Sequence, residues 1–170
     1  MTLLEHAEAA AGRLPIPARR RVFQLGYFAL QCWWMIRRPR TSGVKVVLRR
    51  GDEVLLVRHT YGRRSEWDLP GGFLNAGEDP QDAALREISA ELGLRAQRPV
   101  ALGAIMVRSA GRRDMRHGYA ADAGPDSAGL DVDEAEIAQA RWFPHDALPV
   151  EASDYTRRMV GRAYWEMFLA

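Results

Sequence analysis

Between positions 71 and 94 the chain carries residue types at spacings that leave little choice of local structure. Gly71 and Gly72 open a loop whose backbone can come close to a ligand or an ion, because no Cβ stands in the way. Asp79 is a good N-cap and Pro80 fits the first helical position, where its missing N–H costs nothing. The sequence therefore predicts a helix from Pro80 to near Leu92-Gly93. On that helix Glu87 and Glu91 lie one turn apart and send their carboxylates toward one point, while Ala84, Ile88 and Leu92 form an adjacent apolar stripe fit to pack on a sheet. Like charges at this spacing weaken an isolated helix by about 0.2–0.5 kcal/mol. A bound divalent cation reverses that sign, and oxygen donors of this kind suit Mg²⁺ or Mn²⁺.

These residues resemble the box of the Nudix hydrolase family, G-x5-E-x7-R-E-U-x-E-E-x-G-U with U a bulky apolar residue. Gly72, Glu78, Arg86, Glu87, Ile88, Glu91, Gly93 and Leu94 stand in register with it. Ala90 occupies the place of the first glutamate of the E-E pair, a residue that in the family often contributes to metal binding. The resemblance implies an α/β sandwich, a mixed sheet between helices, over residues 43–170. It also implies hydrolysis of nucleoside diphosphates linked to another moiety, with a divalent metal. Within the box it implies that Glu87, Glu91 and Arg86 form the catalytic set and that the carbonyl of Gly71 joins the metal ligands. The Glu78–Arg86 pairing, with Gly72 and Gly93, would be mostly structural, and Glu87 is either ligand or base.

A length of 170 residues allows one compact domain with a substantial core. The composition, 47% hydrophobic and 27% charged, is that of a globular protein, and the net charge of +2 does not demand nucleic acid as a partner. Cys32 is the single cysteine, which excludes an intrachain disulfide and a cysteine-built metal site; the expected location is cytoplasmic.

Residues 1–42 read as a helical extension preceding the domain. A short alanine-rich helix over 3–14 is broken by Leu14-Pro15-Ile16-Pro17, and Arg19-Arg20-Arg21 then introduces an apolar run over 22–36 closed by Arg37-Arg38-Pro39-Arg40. The run is shorter than the ~20 residues that a spanning helix needs. Its apolar residues fall nearly all round a helix, so more than one face must be covered. A homodimer is the expected cover, with peripheral contact to a lipid interface as the alternative.

From Gly43 onward the pattern is β. Short β-branched runs at 44–48 and 54–58 flank the turn signal Arg50-Gly51-Asp52-Glu53, and an extended piece at 67–70 leads into the glycine loop. Further strands are expected at 100–107, weakly around 119–121, and at 137–143, with a polar loop at 108–116 and a Gly/Pro/Asp-rich loop at 123–133. Ser153 is placed to cap a last amphipathic helix over 154–168.

Cleavage of a pyrophosphate needs cations to offset the phosphate charge and a carboxylate to take a proton from water. Glu87 and Glu91 are the metal-ligand candidates. With Ala90 in the box, either a weaker site suffices or an acid among Asp131, Asp133, Glu134 and Glu136 completes it; Glu136, at the start of a strand, is the one chosen. Arg58, Arg63 and Arg64 are candidates to hold phosphates. Trp67 suits the core better than base stacking, and the histidines show no metal-ligand spacing. The rival function is a catalytically weakened nucleotide-binding module that regulates a partner.

Overall fold

A computed structural model describes residues 14–96, 99–109, 112–124 and 129–167; the short helix expected over 3–14, except for Leu14, and the end of the last helix at Phe168 lie outside the described residues. The elements are α1 (Ile16–Arg37), β1 (Arg40–Arg50), β2 (Glu53–His59), α2 (Pro80–Leu92), β3 (Val100–Ser109), β4 (Arg112–Asp122), β5 (Ile137–Pro144) and α3 (Asp154–Met167). The strands form one mixed sheet in the order β3-β4-β1-β2-β5, with β1 and β4 parallel and the other neighbours antiparallel.

Two apolar layers cover the sheet, and the period-2 alternation of the strands assigns residues to them. Val44, Val46, Leu48, Leu55 and Val57 meet Ala83, Ala84, Ile88 and Leu92 of α2. Val47, Val54 and Leu56 meet Tyr155, Met159, Val160 and Ala163 of α3, with Trp67 and Leu69. This is the α/β sandwich expected from the sequence. α2 begins where the caps predict: the Asp79 side chain accepts from the Gln81 N–H, and Gly93 ends the helix in the left-handed region. Ser153 Oγ likewise accepts from the Thr156 N–H at the start of α3.

Two elements differ from expectation. α1 begins at Ile16 rather than after the arginine cluster, because prolines are tolerated in a first helical turn and do not break it there. Residues 112–116, expected as part of a polar loop, are the first half of β4, paired with β1 on one side and β3 on the other. Their charges are satisfied in place. Asp114 receives Thr41 Oγ1 at 2.6 Å and Arg116 Nε at 3.0 Å, and lies 3.5 Å from Arg112 Nη2. Ladder hydrogen bonds and these ion pairs outweigh the low strand propensity of Arg and Asp.

β1 and β2 pair only next to their turn, at Arg49↔Val54 and Arg50↔Glu53, and then splay apart. The segment leading into the glycine loop fills the gap: the N–H of Asp68 bonds to the Val57 carbonyl, that of Val46 to Pro70 and that of Val44 to Gly72. The glycine loop is thus held in the middle of the sheet at the end facing α2. No helix among the described residues is long and apolar enough to cross a membrane.

Candidate active site

Gly71 sits at φ 131°, and a Cβ there would fall 2.3 Å from the Val44 carbonyl oxygen. Only glycine fits so close to β1. At Gly72 the space that a Cβ would take is held instead by the Glu87 carboxylate, 2.5 Å away. Gly71 therefore serves the close approach of the loop to β1, and Gly72 that of the loop to α2. The Gly71 N–H donates to Glu91 Oε2 at 2.9 Å, and Glu91 is only 2% exposed. Burial pushes its pKa up to about 8; Lys45 opposes that rise, while Glu136 and Glu87 add to it. Burial also raises the pKa of Glu87, against the pull of Arg86.

Arg86 ties the loop to the helix. Its Nε and Nη2 donate to the two oxygens of Glu78 at 2.7 and 2.9 Å, its Nη1 to Glu87 Oε1 at 2.7 Å, and Nη2 also reaches the Phe73 carbonyl at 3.0 Å. The Asn75 N–H adds a third contact to Glu78, whose pKa is lowered chiefly by the Arg86 hydrogen bonds. Glu78, Arg86, Glu87, Glu91, Gly71 and Gly72 are therefore one contiguous group, with Gly93 closing the helix beneath it.

Glu136 is brought to the same region from the far side of β2. Tyr61, on the loop after β2, donates its hydroxyl to Glu136 Oε1 at 3.0 Å, and the Thr60 N–H bonds to the Glu136 carbonyl at 2.7 Å. Burial, with the charges of Glu136, Glu91 and Glu87, pushes the Tyr61 pKa far above its ordinary value. Asp133 is instead engaged by Arg19 at 2.8 Å. Ala90 is exposed, on an open cleft bounded by Arg19, Asp131 and Asp133.

Of the arginines named from the sequence, Arg58 is not brought to the carboxylates. It points to the α3 side of the sheet, its guanidinium 4.5 Å over Trp67 and 3.7 Å from Glu151. The alternation along β2 dictates this, since Leu56 two residues earlier faces the same layer. Arg63 pairs with Glu66 and is largely exposed, and Arg64 is exposed on the same loop. Trp67 is buried in the core against Phe143.

Two participants carry no signal in the sequence. Lys45 donates to the Leu69 carbonyl at 2.8 Å and pairs with Asp68 at 3.0 Å, which anchors the segment just before the glycine loop. Tyr61 holds Glu136 across 75 positions of sequence, a proximity that only the β2–β5 pairing creates.

α1 packs beside this group. Phe23 stacks on Tyr61 at 6.1 Å and Tyr27 lies 5.1 Å from the same ring. Trp34 meets Phe73 of the glycine loop at 5.9 Å, and the buried Arg112 guanidinium lies 3.8 Å over Trp34 and 4.8 Å over Phe73. Arg20 Nε reaches the Glu134 carbonyl and Gln24 Nε2 the Thr60 carbonyl.

Among the described residues no three His, Cys, Asp or Glu side chains are gathered so as to hold a metal ion. The donor set at Gly71, Glu87 and Glu91 is all oxygen with two carboxylates. That suits Mg²⁺, which is usually held by one or two carboxylates and keeps several waters.

The chain belongs to the NUDIX domain family, whose model matches residues 39–161. Among its relatives, the NAD-capped RNA hydrolase NudC of Vibrio parahaemolyticus is 30% identical over 125 residues, covering 72% of this chain and 46% of that protein. The NudC of Shigella dysenteriae is 29% identical over 108 residues, 62% of this chain and 39% of that protein. The chain thus spans less than half the length of these relatives. Among solved structures, a MutT NUDIX hydrolase from Burkholderia pseudomallei superposes with a TM-score of 0.66 at 25% identity, over 72% of this chain and 97% of that one. A UDP-X diphosphatase shares the fold with a TM-score of 0.61 at 22% identity, over 75% of this chain and 64% of that one.

Proposed function

We propose that this chain hydrolyses phosphoric anhydrides, cleaving the pyrophosphate bond of a nucleoside diphosphate linked to another group. The products are a phosphate monoester and a second phosphorylated species. The observation that carries this is the meeting of buried Glu91 and half-buried Glu87 with the Gly71-Gly72 backbone, locked by Arg86 and Glu78. Relatives whose names refer to NAD-capped RNA and to UDP-X, both carrying a nucleoside diphosphate, support the same substrate class.

Glu87, Glu91 and the Gly71 carbonyl would hold Mg²⁺ or Mn²⁺; Glu136, held by Tyr61 and not gathered with the two glutamates, would have to move toward them to replace the acid missing at Ala90. When bound, such an ion offsets phosphate charge and lowers the pKa of a water. Glu87 serves as ligand or base, its carboxylate oriented by Arg86 and hemmed in by Gly72. Lys45 and Asp68 fix the approach of the glycine loop, and Tyr61 fixes Glu136. Arg63 and Arg64, on the exposed loop after β2, are the arginines left to meet substrate phosphates. Residues 43–170 form the catalytic domain and residues 1–42 the extension before it, of which 40–42 already run as the first residues of β1; the chain works in the cytoplasm.

The test is a panel of nucleotide sugars, ADP-ribose, NAD, dinucleoside polyphosphates and nucleoside triphosphates, each with Mg²⁺ and with Mn²⁺, read by coupled phosphate release. Turnover of a pyrophosphate-linked nucleotide, lowered at least ~10²-fold by Glu87→Gln, is the expected result. Inactivity on the whole panel overturns the proposal. A binding module is favoured by one observation, the exposed Ala90 where the family has a carboxylate. It prevails if the natural protein binds these nucleotides without turning them over and Ala90→Glu creates turnover.

A further inference from the structure

α1 has two faces with different fates. Phe23, Tyr27 and Trp34, with Arg19, Arg20 and Gln24, are turned toward the domain. At 100° per residue, Val22, Leu25, Phe28, Trp33, Met35 and Ile36 fall on the other side, and all six are exposed, Leu25 at 69% and Ile36 at 80%. The exposed apolar side runs for ~20 Å of helix, longer and more continuous than scattered surface residues account for.

The charges around it have one sign. The helix Ile16–Arg37 contains four arginines and no Asp or Glu, and Arg38 and Arg40 follow directly. Arg19 and Arg20 are engaged with the domain, whereas Arg21, which lies within the apolar face, and Arg37 and Arg38 at its end form no ion pair among the described residues. A two-fold dimer through this face lays the helix against its own copy. In either direction it then sets arginines against arginines with no carboxylate on the helix to offset them. An anionic lipid surface has the opposite complement: it takes the apolar side chains into the headgroup and acyl boundary and pairs the arginines with phosphates.

We propose that α1 is an interfacial anchor that seats this protein on an anionic phospholipid surface through Val22, Leu25, Phe28, Trp33, Met35 and Ile36, with Arg21, Arg37 and Arg38 on lipid phosphates. The opposite face of the same helix adjoins Tyr61 and Phe73, so the carboxylate group then lies about one helix diameter, ~10 Å, above the headgroups. This surface is independent of the hydrolase proposal, because its test reads no turnover.

The experiment is flotation of the full-length protein with vesicles of phosphatidylcholine alone and of phosphatidylcholine with phosphatidylglycerol at 3:1, at about 50 mM and about 500 mM salt. Analytical ultracentrifugation without lipid runs in parallel. The expected result is flotation with the anionic vesicles only, weakened several-fold at the higher salt. Leu25→Glu/Phe28→Glu should abolish it, and Arg21→Gln/Arg37→Gln should reduce it. All four positions are exposed, and far-UV circular dichroism checks that each variant keeps its fold. No flotation with anionic vesicles overturns the proposal. So does flotation that survives Leu25→Glu/Phe28→Glu, which places the contact elsewhere. A dimer without lipid affinity that dissociates in Leu25→Glu/Phe28→Glu assigns the face to a second copy and equally overturns it.

Discussion

Glu91→Gln is expected to stabilise the metal-free protein at neutral pH while removing its hydrolytic activity. Glu91 is buried, and its folded pKa of about 8 stands above the ordinary 4.5. A carboxylate whose folded pKa is raised binds its proton more tightly in the folded state. Its contribution to stability is full below pH 4.5 and is lost as pH climbs toward 8. With these two values the loss is about 1 kcal/mol at pH 5, about 3 kcal/mol at pH 7 and about 4 kcal/mol at pH 8. Glutamine has nearly the same shape, can keep accepting from the Gly71 N–H, and does not titrate. If its NH₂ group finds no acceptor, a pH-independent penalty of about 1–2 kcal/mol applies, which leaves the change with pH intact. The assay is urea unfolding of both proteins in EDTA at pH 5, 6, 7 and 8. The difference between them should widen by about 3 kcal/mol from pH 5 to pH 8, a relative midpoint shift of roughly 1 M urea or more. The difference is the proper readout because His59 titrates in both proteins. Burial lowers its pKa to about 4, so its contribution grows as pH rises from 4 to 6.5, opposite in sign to that of Glu91. A difference that stays flat across this range, or narrows, refutes the account of a carboxylate held at the site against its own ionisation.

Gly72→Ala should leave stability within about 1 kcal/mol, because the atom that its Cβ meets is the movable end of Glu87. Turnover should nevertheless fall at least ~10-fold as that carboxylate is displaced. Gly71→Ala, by contrast, sets a Cβ against the backbone of β1 at a φ that side chains rarely adopt, and should cost at least ~2 kcal/mol in urea unfolding. Tyr61→Phe keeps its ring among Phe23, Tyr27 and His59 and drops one hydrogen bond to Glu136. It should cost about 1 kcal/mol of stability and displace the pH–rate profile, whereas an unmoved profile would leave Glu136 outside the chemistry.

The parts of the fold legible in the sequence are those governed by local rules. Asp79, Pro80 and Gly93 bound α2 as capping predicts, and the Gly51 turn joins β1 to β2. β4 was legible only in its second half. The charges of Arg112, Asp114 and Arg116 look like loop chemistry until a sheet on both sides pairs them. At the site, the box residues were legible because one helix and one loop hold them all. Tyr61 and Lys45 were not, since each meets its partner through strand pairing distant in sequence. Arg58 shows the reverse: its alternation with Leu56 was present in the sequence and already directed it to the face opposite the carboxylates.

The parallel pairing of β1 with β4, from Arg40↔Arg113 to Arg49↔Asp122, bears on how the molecule comes into being. β1 is made early, and its central neighbour is made only after the hairpin, the glycine loop, α2 and β3 have all been synthesised. Until Asp122 has left the ribosome, Val44, Val46, Val47 and Leu48 border an unpaired edge, and α2 has only a partial sheet on which to bury Ile88 and Leu92. Ring closure over so long a stretch of chain is slow, and an exposed apolar strand edge in the interim invites association with other chains. The carboxylate pair is thus synthesised before the strand that completes the sheet beneath it, and a nascent chain must be shielded through that interval.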